Sequence, residues 1–457
     1  MEGVLSSLLA SSLIVGFPSL IFVCSILIYY YLCIMRKKIL SKDSLQPVIG
    51  VYIMRCIYSI TQYWEMIIPQ IKLYRISNDY IVFQCLSVVF TLKVMDYLKN
   101  GPKTIRELSQ LTKSSEKNLF RVMRALTQEH IFNYNHLNNT FSLNSCSKLL
   151  SSPPPPPPSN MYYNNNINNN NNEINNNNNN NNNGIFSTND EELGCIFSML
   201  SYPTFIDAWR SLKECIETGV SGFQTKHGMT FFQYIDEKDT YIKKIFDSAM
   251  RQRNYATKIH TQITHGYDFS KYKKICDIGG GIGFLGFAIV NKNPDVVVCV
   301  LELEETVRNG LEQSKVDEKK QSIIEEQRLV FKNGNMFIPR SIPSANLYIL
   351  MQVIHDWNNY DAIKILSSVA SAMRYERNQT GQIPKLLIID SILDDNINND
   401  TYKRSCIPDI IMMAIVGGEE RTLSEWNHLI KESGLQILSI KKFNRPPFLS
   451  IIELTII

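Results

Sequence analysis

A histidine just past an apolar run, with two acids in comparable positions further on, has the makings of a general base and the groups that orient it. His355 follows the run Leu347–Met351, Asp390 closes the run 386–390, and Glu420 stands just before Thr422-Leu-Ser-Glu425. An imidazole of unperturbed pKa ~6.5 can take a proton near neutrality. Either carboxylate could orient the ring and stabilise its cation. The plainer alternative makes His355 a loop cap and both acids ordinary surface carboxylates.

Upstream, Asp277-Ile-Gly-Gly-Gly-Ile-Gly283 offers a different chemistry. Glycine permits positive φ and close backbone approach, and the helix that follows presents free N–H groups at a partly positive end. Asp277 would close a strand, Gly279, Gly280, Gly281 and Gly283 would form the turn, and Glu302 would end the next strand, where a carboxylate can bind both hydroxyls of a ribose. Gly281-Ile-Gly283-Phe-Leu-Gly286 also fits G-x-G-x-x-G, with Glu302 at the distance of a dinucleotide-binding acid. On these residues alone an adenosylmethionine enzyme and a nicotinamide-dependent reductase both stay open.

The elements that must position these groups alternate from Lys274 onward. Short apolar runs at 275–278, 296–301, 328–332, 347–351 and 386–390 are separated by helical patterns. Runs without polar alternation suit parallel strands buried on both faces, and alternating β and α units imply a Rossmann-like α/β sheet. The last two runs, 435–441 and 448–456, leave no room for a helix and should pair antiparallel around Arg445-Pro446-Pro447.

The 457 residues allow two or three domains, and a formal charge of +4 is too small for a dedicated nucleic-acid binder. Ten scattered cysteines form no Cys-x-x-Cys pair, so neither a zinc knuckle nor a redox dithiol is supported, and no metal-ligand cluster is visible. Residues 13–35 carry no charge and Arg36-Lys37-Lys38 follows. That is long enough to cross a bilayer, and the basic flank would leave the bulk of the chain on the cytoplasmic side. We therefore expect a single-pass membrane anchor and basic flank at 1–43. Residues 44–150 read as helix, helix and hairpin, a winged-helix pattern, with an apolar helix over 80–98, Thr104 and Ser114 or Ser115 as caps, and a turn at Asn138-Asn139. Arg121 and Arg124 could touch DNA, but the weak charge favours a structural or dimerising module. Residues 151–190 form an insertion of six prolines and asparagine tracts, which has little to bury and is expected to be disordered. Residues 191–457 form the catalytic domain, in which Trp209, Leu212 and Ile216 should share a helical face and His227, beside Gly228, reads as a turn residue.

Taken together these motifs resemble the plant-type, caffeate-like O-methyltransferases, a family that includes hydroxyindole O-methyltransferases. The resemblance spans roughly residues 75–457 outside the insertion. It rests on the glycine loop, Gly334-Asn-Met-Phe337, Leu350-Met-Gln-Val-Ile-His-Asp-Trp357, Asp409-Ile-Ile-Met412 and Gly417-Gly-Glu-Glu-Arg-Thr422. It implies S-adenosylmethionine as cofactor, a winged-helix region that forms a homodimer, and a metal-free transfer to a hydroxyl of a small aromatic acceptor. Gly279 and Gly281 would line the cofactor, Glu302 would hold its ribose, and Asn335 and Met336 its adenine, with Met351 on the same side. His355 would take the hydroxyl proton, flanked by Asp390 and Glu420, and Met250 and Met412 would sandwich the acceptor ring. Met351, Asn335 and Asp390 stand where the family has lysine, aspartate and glutamate. The non-enzyme rival is a dimeric binding or scaffold protein with a degenerate site.

Overall fold

The computed structural model describes residues 69–150, 194–395, 400–443 and 447–457. Its first helix, α1 (Pro69–Thr91), contains the boundary between two compact units, at Leu86 and Ser87. The helix expected over 80–98 is interrupted: Lys93 takes a left-handed backbone (φ 57) and a short helix, Val94–Leu98, follows. Among the described residues no helix is long and apolar enough to cross a membrane. The span expected at 13–35 and the insertion expected at 151–190 lie outside the described residues.

The winged-helix pattern is present. A two-residue strand β1 (Lys103–Thr104) leads into α2 (Ile105–Thr112), where Thr104 and Glu107 form a reciprocal capping box. Ser115 caps α3 (Glu116–Gln128), which buries Leu119, Met123 and Leu126 at helical spacing. Strands β2 (Phe132–Asn135) and β3 (Thr140–Leu143) pair antiparallel, and Asn139 takes the positive φ the turn needs. Arg124 lays its guanidinium over Phe120, 5.9 Å from the ring centre, on its own helix.

Between Gly194 and Gly266 lies a run of helices around an aromatic core of Phe205, Phe223 and Phe231. The shared face expected of Trp209, Leu212 and Ile216 does not form: one helix ends at Arg210, another starts at Leu212, and Ile216 is 71% exposed. His227, expected in a turn, is instead the last residue of a short helix, Gly222–His227; its Nε2 lies 3.3 Å from the Thr204 carbonyl, and Gly228 closes the helix in left-handed conformation. The longest of these helices, α4 (Thr240–Thr257), buries Ile242, Ile245 and Ala249 against the aromatic core.

Seven strands form the main sheet: β4 (Lys274–Ile278), β5 (Val297–Glu302), β6 (Leu329–Asn333), β7 (Leu347–Met351), β8 (Lys385–Asp390), β9 (Leu435–Lys442) and β10 (Ser450–Ile456). Their order is β6-β5-β4-β7-β8-β10-β9, parallel from β6 to β8, with β10 antiparallel to both neighbours. Burial on both faces holds for β4, β7 and β8 but not for β6, an edge strand that buries only Leu329 fully. Helix α5 (Phe284–Lys292) follows the glycine turn. Helix α6 (Asn359–Thr380) follows His355 and buries Ala362, Ile365, Leu366, Val369, Ala370 and Met373 in one stripe. Parallel strands place their carboxyl ends on one edge, the edge where ligands bind in open α/β sheets. Here that edge gathers the glycine turn, Glu302, Asn335, His355 and Asp390, which lie at or just beyond the ends of β4 to β8.

Candidate active site

The expected cofactor side is built from backbone. After β4, Gly279, Gly281 and Gly283 all have positive φ (69, 59 and 81), which glycine alone adopts freely. Gly279 donates to the Leu301 carbonyl at 2.9 Å, and a Cβ there would sit 2.8 Å from Val353 Cγ2. Gly281 donates to Glu302 Oε1 at 3.0 Å, and Glu302 Oε2 accepts from the Leu303 N–H at 2.9 Å, so the carboxylate is fixed at the end of β5. Beneath the turn Asp277 is fully buried, and neither of its oxygens has a hydrogen-bond partner among the described residues. Burial, with Glu302 nearby, pushes it up to about 7. An unsatisfied buried carboxyl, open space at Gly281 and a fixed acid at the end of β5 fit a polar, cationic nucleoside such as adenosylmethionine.

The Gly334 N–H donates to the Glu302 carbonyl at 3.0 Å, which brings the next loop against β5. Asn335 is exposed there, its Oδ1 accepting from the Phe337 N–H at 2.9 Å, while Met336 is partly buried against the core. Met351 ends β7, partly buried against the sheet.

The base side brings together groups that are far apart in the chain. His355 is buried, with Nδ1 2.9 Å from Glu420 Oε1 and 3.2 Å from Asp390 Oδ1. The sequence left open which acid would orient the ring; both come within reach of Nδ1, Glu420 through a hydrogen bond and Asp390 as a close charge. Asp390 Oδ2 also accepts from the His355 backbone N–H at 3.3 Å. A third acid, Asp356, lies 3.6 Å from Nε2. Burial alone would lower the imidazole pKa, but Asp390, Asp356 and Glu420 reverse that and raise it to about 10. Burial pushes Asp390 up to about 7 and Asp356 to about 6, with His355 working against both shifts. Glu420 is also penalised by burial, yet its bond to His355 holds it below the usual glutamate range.

The histidine segment is held from behind by Arg421, buried to 0% exposure. Its Nε donates to Asn359 Oδ1 at 3.0 Å, Nη1 to the Ile354 carbonyl at 3.2 Å, and Nη2 to the Trp357 carbonyl at 2.7 Å and to Glu419 Oε1 at 2.9 Å. The Glu419 N–H donates to the His355 carbonyl and the Glu420 N–H to Asp409 Oδ1, each at 2.9 Å. The sequence marked Glu420 but missed the clamp one residue on; an arginine between an acid and a helix cap carries no local signal of its bonds.

Of the two methionines expected around an acceptor, Met250 is partly buried on α4 against the aromatic core, and Met412 is partly buried where a π-helical turn, Met412–Val416, leads to Gly417. A residue that sequence reasoning passed over, Arg253, also faces this region from α4. The absence of metal-ligand spacing in the sequence needs qualification: His355, Asp390 and Glu420 each place a ligand-type atom within 4.8 Å of the others. The same atoms are engaged with one another, Nδ1 with both carboxylates, as a base and its orienting acids would be.

Two family models match the chain: an O-methyltransferase domain over residues 209–436 and an O-methyltransferase dimerisation domain over 74–153. The chain is 86% identical, over 456 residues and the full length of both, to "O-methyltransferase 10" of Dictyostelium discoideum. Among solved structures it is similar to the mitomycin 7-O-methyltransferase, with a TM-score of 0.68 at 23% identity over 85% of this chain and 98% of that one. It is also similar to an O-methyltransferase from neocarzinostatin biosynthesis in complex with S-adenosylmethionine and 2-hydroxy-5-methyl naphthoic acid, with a TM-score of 0.61 at 20% identity over 82% and 96%.

Proposed function

Because this chain belongs to the O-methyltransferase family, we propose that it transfers a methyl group from S-adenosylmethionine to a hydroxyl of a small aromatic acceptor, with His355 as general base. The observation that carries this reading is the buried imidazole, tied through Nδ1 to Glu420 and Asp390 on the sheet edge that also holds the glycine turn. Membership of a methyltransferase family displaces the nicotinamide reading of the second glycine pattern.

When bound, S-adenosylmethionine supplies a methyl carbon made electrophilic by its sulfonium. Gly279, Gly281 and Glu302 would hold the nucleoside, with Asn335, Met336 and Met351 along its other side. A phenol has a pKa of ~10 and is a poor nucleophile while protonated. Because Nδ1 is committed to Glu420, Nε2 is the nitrogen left to take the hydroxyl proton. Asp390 and Glu420 then stabilise the imidazolium, and Met250 and Met412 flank the acceptor ring. Fixing both reactants in line should supply much of the acceleration.

Label from methyl-tritiated adenosylmethionine should appear in phenolic acceptors presented as a broad panel, and EDTA should leave the rate unchanged. Tight adenosylhomocysteine binding with no transfer to any acceptor would favour the scaffold reading. Loss on chelation, restored by a divalent cation, would make His355, Asp390 and Glu420 a metal site.

Two features of the assembly belong to the same proposal. The dimerisation-domain match and the exposed apolar residues Leu73, Tyr74, Tyr80 and Ile81 on α1 support a homodimer. The uncharged stretch at 13–35 with its basic flank supports a membrane tether, leaving the catalytic domain on the cytoplasmic side. Full-length protein should therefore resist alkaline carbonate extraction from membranes, and in detergent it should cross-link to twice the chain mass. Release by carbonate would remove the tether, and a single-chain mass would remove the dimer.

A further inference from the structure

We propose that Arg253 determines acceptor specificity, its guanidinium selecting aromatic alcohols that carry a carboxylate or carbonyl oxygen next to the reacting hydroxyl. This rests on the reading above, since it requires the acceptor hydroxyl to face His355.

Arg253 lies on α4 three residues beyond Met250, so the two side chains share a helix face. With the Gln352 amide turned so that its oxygen meets the guanidinium, that oxygen accepts from Arg253 Nη1 at 3.3 Å and Nη2 at 2.9 Å. Gln352 sits just past β7 in a left-handed backbone (φ 51), a conformation disfavoured for any residue with a side chain. Its own N–H is fixed to the Ile389 carbonyl at 2.9 Å. A strained residue at the carboxyl edge of the sheet therefore orients the arginine from three positions before His355.

The two arginines near His355 contrast sharply. Arg421 spends its Nε, Nη1 and Nη2 on carbonyls and side-chain oxygens around it. Arg253, partly buried, has Gln352 as its hydrogen-bond partner among the described residues and forms no ion pair there. Two of its five N–H donors are thus used. A desolvated cation with donors to spare beside a base is completed by an anionic or carbonyl oxygen, for which a guanidinium offers two parallel bonds. The cofactor's own carboxylate is a second source of such an oxygen. The acids that act on Arg253 are Glu420, Asp390 and Asp356, the ring around His355, whereas the acids of the cofactor side are Asp277 and Glu302. That placement favours the acceptor.

The test compares phenol, salicylaldehyde and salicylate as acceptors for the full-length wild-type enzyme, Arg253→Lys and Arg253→Met, with adenosylhomocysteine affinity measured by calorimetry. Taking each acceptor's variant-to-wild-type ratio cancels its intrinsic reactivity. In Arg253→Met, kcat/KM for salicylate and salicylaldehyde should fall about 10- to 100-fold further than for phenol, the range expected for losing a charged hydrogen bond. Arg253→Lys should recover part of that preference, and adenosylhomocysteine affinity should stay within about twofold in both variants, well under one charged hydrogen bond. Equal losses for all three acceptors, or no loss, would overturn the proposal. A parallel fall in adenosylhomocysteine affinity would reassign Arg253 to the cofactor. Absence of transfer by the wild type to these or any panel acceptor would instead defeat the function proposed above.

Discussion

Replacing His355 with alanine should lower kcat by roughly 100- to 10,000-fold, the range for a general base, while adenosylhomocysteine binds almost as before. The separation follows from the geometry. The proposed cofactor side is backbone from the glycine turn together with Glu302, and among the described residues the His355 ring pairs with the acids of the other side. Calorimetry and single-turnover kinetics on the same protein would check it. Equal loss of affinity and turnover would make the histidine structural.

The pH profile gives the prediction a sign. With three acids around it, His355 is held near a pKa of about 10, so in the free protein the ring keeps its proton at neutral pH. Only the deprotonated ring can accept a proton, so turnover should climb as pH rises through the neutral range. The positive charges of the bound sulfonium and of Arg253 oppose the imidazolium, and the working pKa in the complex should lie lower. A wild-type profile flat from about pH 6 to about pH 9 would be inconsistent with this base. Stability runs the other way. A pKa raised in the fold contributes stability that is complete below the unfolded value of ~6.5 and is lost as pH climbs through the folded one. The site thus gains its active form where it loses part of its electrostatic support.

Gly418→Ala should come close to the same catalytic loss without touching a titratable group. A Cβ at Gly418 would overlap the His355 carbonyl oxygen and sit 2.5 Å from the Asp356 carbonyl carbon and 2.8 Å from its Cα. These are backbone atoms, so no rotamer change relieves the clash. The His355 carbonyl also accepts from the Glu419 N–H, and Arg421 grips the carbonyls of Ile354 and Trp357 on either side. Pushing this segment away should separate His355 from Glu420. We expect turnover to fall at least about 100-fold, as misplacing a reacting group by an ångström does, with stability reduced by about 1–3 kcal/mol from overpacking. Adenosylhomocysteine affinity should change little. Wild-type turnover in Gly418→Ala would show that the contact between these two segments does not set the position of the base.

Much of the framework was legible because its signals are local. Thr104 caps α2 as its place before the helix suggests, with Glu107 closing a capping box, and Thr422 with Glu425 forms a box over the same span. The hairpin at Asn139 and the strand end at Asp390 also came from neighbouring residues, whereas β4 runs one residue past Asp277, to Ile278. Errors arose where an outcome depended on neighbours distant in the chain. The run at β6 looks like a two-sided buried strand, but the sheet ends there and one flank lacks a partner. Trp209 and Ile216 fit one helical face on paper, yet the chain turns at Ser211.

The sequence by itself determined the order of strands and helices, the glycine turn with Glu302, and a histidine at the carboxyl edge of the sheet. Each of these depends on φ/ψ preferences and apolar periodicity over a few residues. Tertiary structure decided that Asp390 and Glu420 both reach His355, 35 and 65 positions away, and that Asp356 joins them. It also made Arg421 a clamp and left Arg253 with donors to spare. Such contacts form only when parallel crossovers bring remote strand ends to one edge, and the charges there then set one another's protonation in ways no single segment encodes.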